Sequence, residues 1–99
     1  MATSTLNKVI HDLKLVHTTL SPSGTIAAHG GAGASLTPTA PDGYKFLTHL
    51  DVWNTGVVGV VVSFDGAYLL GETVNVYQNN TTNGTASRGK INLLSLYYK

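Results

Sequence analysis

Along most of this chain apolar and polar residues alternate in short runs, broken by clusters of Gly, Pro, Asn, Asp and Ser. A period of two is the mark of half-buried strands, and the breaks carry turn chemistry. The first stretch is different. In STLNKVIHDL, Leu6, Val9, Ile10 and Leu13 fall at helical spacing and Ser4 is placed to cap the first turn, which predicts a short helix or ordered arm over residues 1–12. From residue 13 the period changes to two. Leu13, Leu15 and His17 share one face, Val16, Thr18 and Leu20 the other, and Ser21-Pro22-Ser23-Gly24 turns the chain. Thr25–Ala28 reads as a second strand, and the small residues of Ala32–Thr39, punctuated by Pro38 and Pro41, read as an edge segment. After Asp42-Gly43, strict alternation places Tyr44, Phe46, Thr48, Leu50 and Val52 on one face and Lys45, Leu47, His49, Asp51 and Trp53 on the other.

Two later segments do not alternate. Val57-Val58-Gly59-Val60-Val61-Val62 follows an expected turn at Asn54-Thr55-Gly56 and is apolar on both faces; its branched residues and short length favour a strand over a helix. The last segment, Lys90–Tyr98, sets Ile91, Leu93 and Tyr97 against Leu94, Leu96 and Tyr98. Between the two, Asp65-Gly66 signals a hairpin and Thr73–Gln78 alternates again. A strand apolar on both sides needs a cover on each, and one small sandwich offers only one. The second cover is expected to be another copy of the chain. The whole pattern predicts an all-β fold over residues 13–99: a single antiparallel β-sandwich, jelly-roll-like, of about seven to eight short strands.

Composition narrows what such a domain does. At 99 residues it is short enough to leave much apolar surface near solvent, so association is a ready source of stability. There is no cysteine, which excludes disulfides and thiolate metal sites. Six Lys and Arg are scattered and the net charge is +1, so no basic stripe is offered to nucleic acid. Met1-Ala2-Thr3-Ser4-Thr5 lacks the basic and apolar regions of a secretory signal, which leads us to expect either a product made in the cytoplasm or one from which a leader has been removed. No apolar run approaches the ~20 residues of a membrane helix, and membrane insertion is not expected.

The order of the motifs adds a resemblance. SGTIAAHG, then PDGYKFLTHLDVWNTG, then TVNVYQNNTTNGTASRGKINLLSLYYK resembles the small all-β domains of bacteriophage tail-fibre and other virion structural proteins, especially of phages and prophages of gut bacteria. The matching positions are Thr25–Gly30, Pro41–Tyr44, Trp53–Gly56 and Leu96–Tyr98, within a resemblance spanning residues 13–99. It implies a virion surface protein whose β-sandwich commonly trimerises, and it implies no catalytic residue. The chain departs from the fibre pattern in carrying no long shaft before the sandwich. The expectation is therefore a capsid decoration, head-fibre or tail accessory protein, docked on capsid or tail proteins through Leu6, Val9 and Ile10 of the N-terminal arm.

Candidate chemistry is sparse. The four histidines, His11, His17, His29 and His49, lie on separate elements, and no metal or other cofactor is expected; a ring of His49 and Asp51 around a symmetry axis is the one arrangement that assembly would create. Of the five carboxylates, Asp42 and Asp65 precede glycine in turns, G-x-S-x-G does not occur, and GGAGAS at 30–35 lacks the ending of a phosphate loop. No enzymatic activity is expected. Trp53, Asp51 and Tyr77 are the candidate contacts to a host surface glycan, because aromatic faces stack on sugar rings while carboxylates and amides bond the hydroxyls. For the homotrimer interface the candidates are Val57, Val58, Val60, Val61, Val62, Leu94, Leu96 and Tyr98.

Overall fold

The computed structural model describes residues 12–65 and 71–99. The expected arm or helix with Leu6, Val9 and Ile10, and Gly66 of the expected hairpin, lie outside the described residues. Among the described residues the chain is all β. The strands are β1 (Leu13–Leu20), β2 (Thr25–Ile26), β3 (Gly31–Leu36), β4 (Lys45–Thr55), β5 (Val60–Phe64), β6 (Val74–Asn80), β7 (Ala86–Ser87) and β8 (Lys90–Tyr98). One antiparallel sheet has the order β1-β8-β4, a second has the order β3-β6-β5, and β2 pairs with β7 in a short ribbon.

The two three-stranded sheets face each other across one apolar layer. Leu36, Val74, Val76, Ile91 and Leu93 are its buried centre, and Leu20, Ala34, Val52, Val62 and Phe64 pack around them. Burial of a side chain of this kind contributes about 1.5–3 kcal/mol, so this layer is what joins the sheets. Both central strands are dictated by their sequence. In β6 every second residue is buried, Val74, Val76, Gln78 and Asn80, while Asn75, Tyr77 and Asn79 face outward. In β8, Ile91, Leu93, Ser95 and Tyr97 point into the layer.

At one end the layer turns polar. Asn80 is buried and holds the surrounding loops: its Nδ2 donates to the carbonyls of Ile26, Gly84 and Ala27, and its Oδ1 accepts from the backbone N–H and hydroxyl of Thr82. Beside it, buried Gln78 donates to Asn54 Oδ1 and the Arg88 carbonyl, and its own carbonyl accepts from Arg88 Nε. Every buried polar side-chain atom among the described residues has a partner, which is what makes a polar core end tolerable.

The register of β4 corrects the strict alternation. Its pairing with β8 shifts between Phe46 and Thr48 and again between His49 and Asp51, so Leu47 and Leu50 are extra residues in bulges. Each insertion moves the following residues to the other face. Phe46, His49 and Val52 therefore oppose Tyr97, Ser95 and Leu93 on the inner side, while Thr48, Asp51 and Trp53 face out. His49 is only 4% exposed, whereas Leu50, expected in the core, is 47% exposed. A His49–Asp51 metal ring is thereby excluded, because the two side chains lie on opposite faces.

The Val57–Val62 segment also differs from expectation. The strand β4 runs on to Thr55, and residues 56–59 form the bend that follows it. Gly59 sits at φ 85°, a conformation branched residues avoid, and its carbonyl accepts from Thr81 N–H. From Val60 the strand alternates in the ordinary way, with Val60, Val62 and Phe64 inward and Val61 and Ser63 outward. Val60 is 4% exposed and Val62 packs on the core, so both are committed to their own sandwich and not to an interface. The double apolar character of this segment disappears once its first half is a turn.

Candidate functional site

The outer face of the sheet centred on β8 is the most unusual surface. Residues directly opposite in antiparallel strands share a face, and the register gives four successive rows: Leu13, Tyr98 and Lys45; Leu15, Leu96 and Thr48; His17, Leu94 and Asp51; Thr19, Asn92 and Trp53. The middle of this face is leucine. Leu15 on one edge strand is 62% exposed and the bulge residues Leu47 and Leu50 are exposed on the other, with Leu94, Leu96 and Tyr98 half-buried between the edge strands. No element of the protomer among the described residues covers them.

One end of that face is closed by a polar cluster. The rings of His17 and Trp53 stack with centroids 5.4 Å apart and planes 20° apart. His17 Nε2 lies 3.0 Å from Asn92 Oδ1, and Asn92 Nδ2 donates to Thr55 Oγ1 and the Trp53 carbonyl. Trp53 thus has one face taken by an imidazole within its own chain. At the opposite end Lys14 Nζ sits 4.8 Å above the Tyr44 ring, with Lys99 near the same ring, so the apolar rows are bounded by charge there.

The outer face of the sheet centred on β6 has the contrary character. Gly33 opposes Tyr77, Ser35 opposes Asn75 and Gly31 opposes Asn79 on one side; Ser63 and Val61 oppose Tyr77 and Asn79 on the other. Gly33, Ala34, Ser35, Asp65, Asn75 and Val76 line a shallow groove of about 350 Å³. Ser35 Oγ donates to Asn75 Oδ1 at 2.6 Å. Tyr77, 39% exposed, is not among its lining residues; its ring lies over Gly31.

Inside the sandwich, His49 and Ser95 form the pairing that a nucleophile would need, with Nδ1 2.9 Å from Oγ. Ser95, however, has no exposed surface, and His49 Nε2 donates to the Gly71 carbonyl, not to a carboxylate. Glu72 is engaged instead by Tyr97, whose hydroxyl donates to it at 2.9 Å. Burial lowers the His49 pKa below its usual value, outweighing the carbonyls of Gly71 and Glu72 and the Glu72 charge, which favour protonation. Burial, followed by the hydrogen bond to Glu72, raises that of Tyr97. This cluster, which Phe46 joins by packing on both His49 and Tyr97, is core structure. No group of three or more metal-ligating side chains occurs among the described residues.

The expected site residues are thus divided. Leu94, Leu96 and Tyr98 share one outer face, but Val58 stands in a turn and Val61 lies on the other sheet, so a single flat contact does not gather them all. Trp53 and Asp51 share a face, and Tyr77 lies on the opposite side of the sandwich from both. Sequence reasoning missed Leu15, Leu47 and Leu50 as surface residues. The alternation in β1 shows that Leu13 and Leu15 share a face, whereas nothing local announces the β4 bulges. No known protein family, curated protein or solved structure matches this chain.

Proposed function

We propose that the protein is a non-enzymatic structural subunit of a bacteriophage virion surface that assembles as a homotrimer. The observation that carries the assembly is the leucine face of β1, β8 and β4, which no element among the described residues covers. A face of this kind is costly to leave in water, and contiguous apolar patches on a small domain mark interaction sites. A second copy is the partner best suited to it. The face is largely apolar on each copy, and its two charged residues, Lys45 in the row of Leu13 and Asp51 in the row of Leu94, are of opposite sign, so it complements itself without a separate partner of opposite charge. Three such faces turned toward a three-fold axis enclose their leucines in a prism, with the polar His17–Trp53–Asn92 cluster closing one end. The assignment to a virion rests on the order of motifs from residue 25 to residue 98.

Light scattering coupled to size-exclusion chromatography tests the assembly. The expected mass is about 31 kDa, three times 10.4 kDa. Leu96→Asp and Leu15→Asp are expected to give folded monomers, because a carboxylate in an apolar interface loses its hydration without gaining a partner. A monomeric native protein, or variants that remain trimeric, would refute the assembly. The virion assignment has its own test: the chain is expected in tryptic digests of density-purified phage particles, and its absence there would overturn that part alone.

A further inference from the structure

We propose that Asn83 is a site of spontaneous deamidation, and that His29, brought to it by the fold, speeds the reaction by donating a hydrogen bond to the Asn83 side-chain carbonyl. The sequence supplies one half of this site. Asn83 is the only asparagine in the chain followed by glycine; every other one precedes a residue that carries a side chain. Without a Cβ, Gly84 leaves its backbone nitrogen open and lets the chain bend toward the neighbouring amide. Both residues are exposed, in the loop between β6 and β7.

Tertiary structure supplies the other half. His29 Nε2 lies 2.7 Å from Asn83 Oδ1, although the two residues are 54 positions apart in the chain. A carbonyl oxygen only accepts, so the ring nitrogen is the donor in this bond, whichever charge the ring carries. The backbone of His29 is itself unusual. Ala27–Gly30 is a turn closed by the Gly30 N–H on the Ala27 carbonyl, and His29, next to its last residue, sits at φ 57°. That place in a turn favours glycine or asparagine. Here it holds an imidazole aimed at Asn83. Asn83 Nδ2, the group that would leave, has no partner among the described residues, and the Gly84 N–H makes only a long contact, 3.5 Å, to Thr82 Oγ1.

The reaction needs only water. The Gly84 nitrogen gives up its proton to solvent and bonds to Asn83 Cγ, while the carbonyl electron pair moves onto Oδ1, where the His29 N–H meets the new negative charge. As that pair returns, the Cγ–Nδ2 bond breaks, Nδ2 takes up a proton and leaves as ammonia, and a cyclic imide remains. Water then opens either ring C–N bond, restoring the Gly84 N–H and leaving aspartate or, with the main chain routed through the side chain, isoaspartate. A donor aimed at the oxygen on which charge develops lowers the barrier to attack. At an exposed place it is expected to do so about tenfold, well below the roughly hundredfold or more of a buried oxyanion hole. The product also acts on the fold. A new carboxylate cancels the formal net charge of +1. The extra main-chain methylene of isoaspartate displaces the Gly84 carbonyl, which accepts from Asn80 Nδ2 and the Thr82 hydroxyl, so the change reaches the buried asparagine that holds the polar end of the core.

The test incubates the native protein at neutral pH and body temperature and follows each asparagine by tandem mass spectrometry, with Asn54, Asn75, Asn79 and Asn92 as internal references. Asn83 is expected to gain the mass of an amide-to-acid exchange, with isoaspartate among the products, while the references stay unchanged. His29→Gly suits the backbone and removes the donor, and is expected to slow the reaction at Asn83 about tenfold. His29→Gln, which restores an N–H on a long side chain, is expected to recover part of that rate. A Cβ on Gly84 meets nothing within 4 Å, so Gly84→Ala is expected to fold normally and to slow the reaction by obstructing the attacking nitrogen. Circular dichroism checks each fold; should His29→Gly fail to fold, His29→Asn, which tolerates the same φ and ends short of the Nε2 position, carries the test. An Asn83 that reacts no faster than the reference asparagines, or a variant without the donor that reacts at or above the native rate, would overturn the proposal.

Discussion

Adjacent residues of β5 offer a sharp test of which way the strand faces. Val60 is 4% exposed and Val61 is 54% exposed. Val60→Asp forfeits about 1.5–3 kcal/mol of apolar burial and adds the penalty of a carboxylate out of water, several kcal/mol more unless it takes up a proton. Nothing nearby relieves that penalty. Asn80, directly opposite, has its donors engaged by Ile26, Ala27 and Gly84 and its acceptor by Thr82. The sum is at least about 4 kcal/mol, against a total of about 5–15 kcal/mol for a domain of this size. At about 4–8 °C per kcal/mol, Val60→Asp is expected to lower the melting temperature by roughly 20 °C or to unfold the protein. Val61→Asp, on the solvent side, is expected to stay within about 0.5 kcal/mol of the native chain and to leave its mass unchanged. Thermal unfolding followed by circular dichroism at one protein concentration reads both. Equal losses, or the reverse order, would mean that the β5–β6 register is slipped by one residue, and the inner and outer assignments of both faces would fall with it.

Two further outcomes follow from the polar core. Asn80→Ala strands the loop carbonyls and the Thr82 N–H that it now satisfies, and is expected to cost about 2–4 kcal/mol in urea unfolding, since each buried group left without a partner costs about 1–3 kcal/mol; a neutral substitution would show that water replaces the amide. His49 takes up a proton more readily in the unfolded chain, near its ordinary value of about 6.5, than in the fold, so its contribution to stability is intact above that pH and falls as the pH drops below it. The loss is expected to be no steeper than about 1.4 kcal/mol per pH unit and to be smaller in His49→Gln, which keeps a donor for the Gly71 carbonyl; identical pH profiles for the two proteins would remove His49 as the cause.

Much of this architecture is legible in the chain itself. Period-two alternation in Leu13–Leu20 and Thr73–Gln78 and the doubly apolar run at Lys90–Tyr98 are local properties, and they place an all-β antiparallel fold with β8 apolar on both sides. The alternation in β4 misleads, because a bulge leaves no mark on composition: Leu47 and Leu50 look like any other strand leucine. The valine run misleads for a related reason, since the bend at Gly59 removes Val57 and Val58 from the strand that their branching favours.

By itself the sequence determined which residues can share a face, since the backbone pleat assigns neighbours to opposite sides for as long as the register is unbroken. Tertiary structure alone decided which of those faces became core and which became surface. It placed Ser95 and His49 together out of reach of solvent, set Tyr77 and Trp53 on opposite sides of the sandwich, and left one outer face leucine-rich and the other polar. Burial and cross-strand neighbourhood belong to residues far apart in the chain, and they are settled only when the sheets pair and pack.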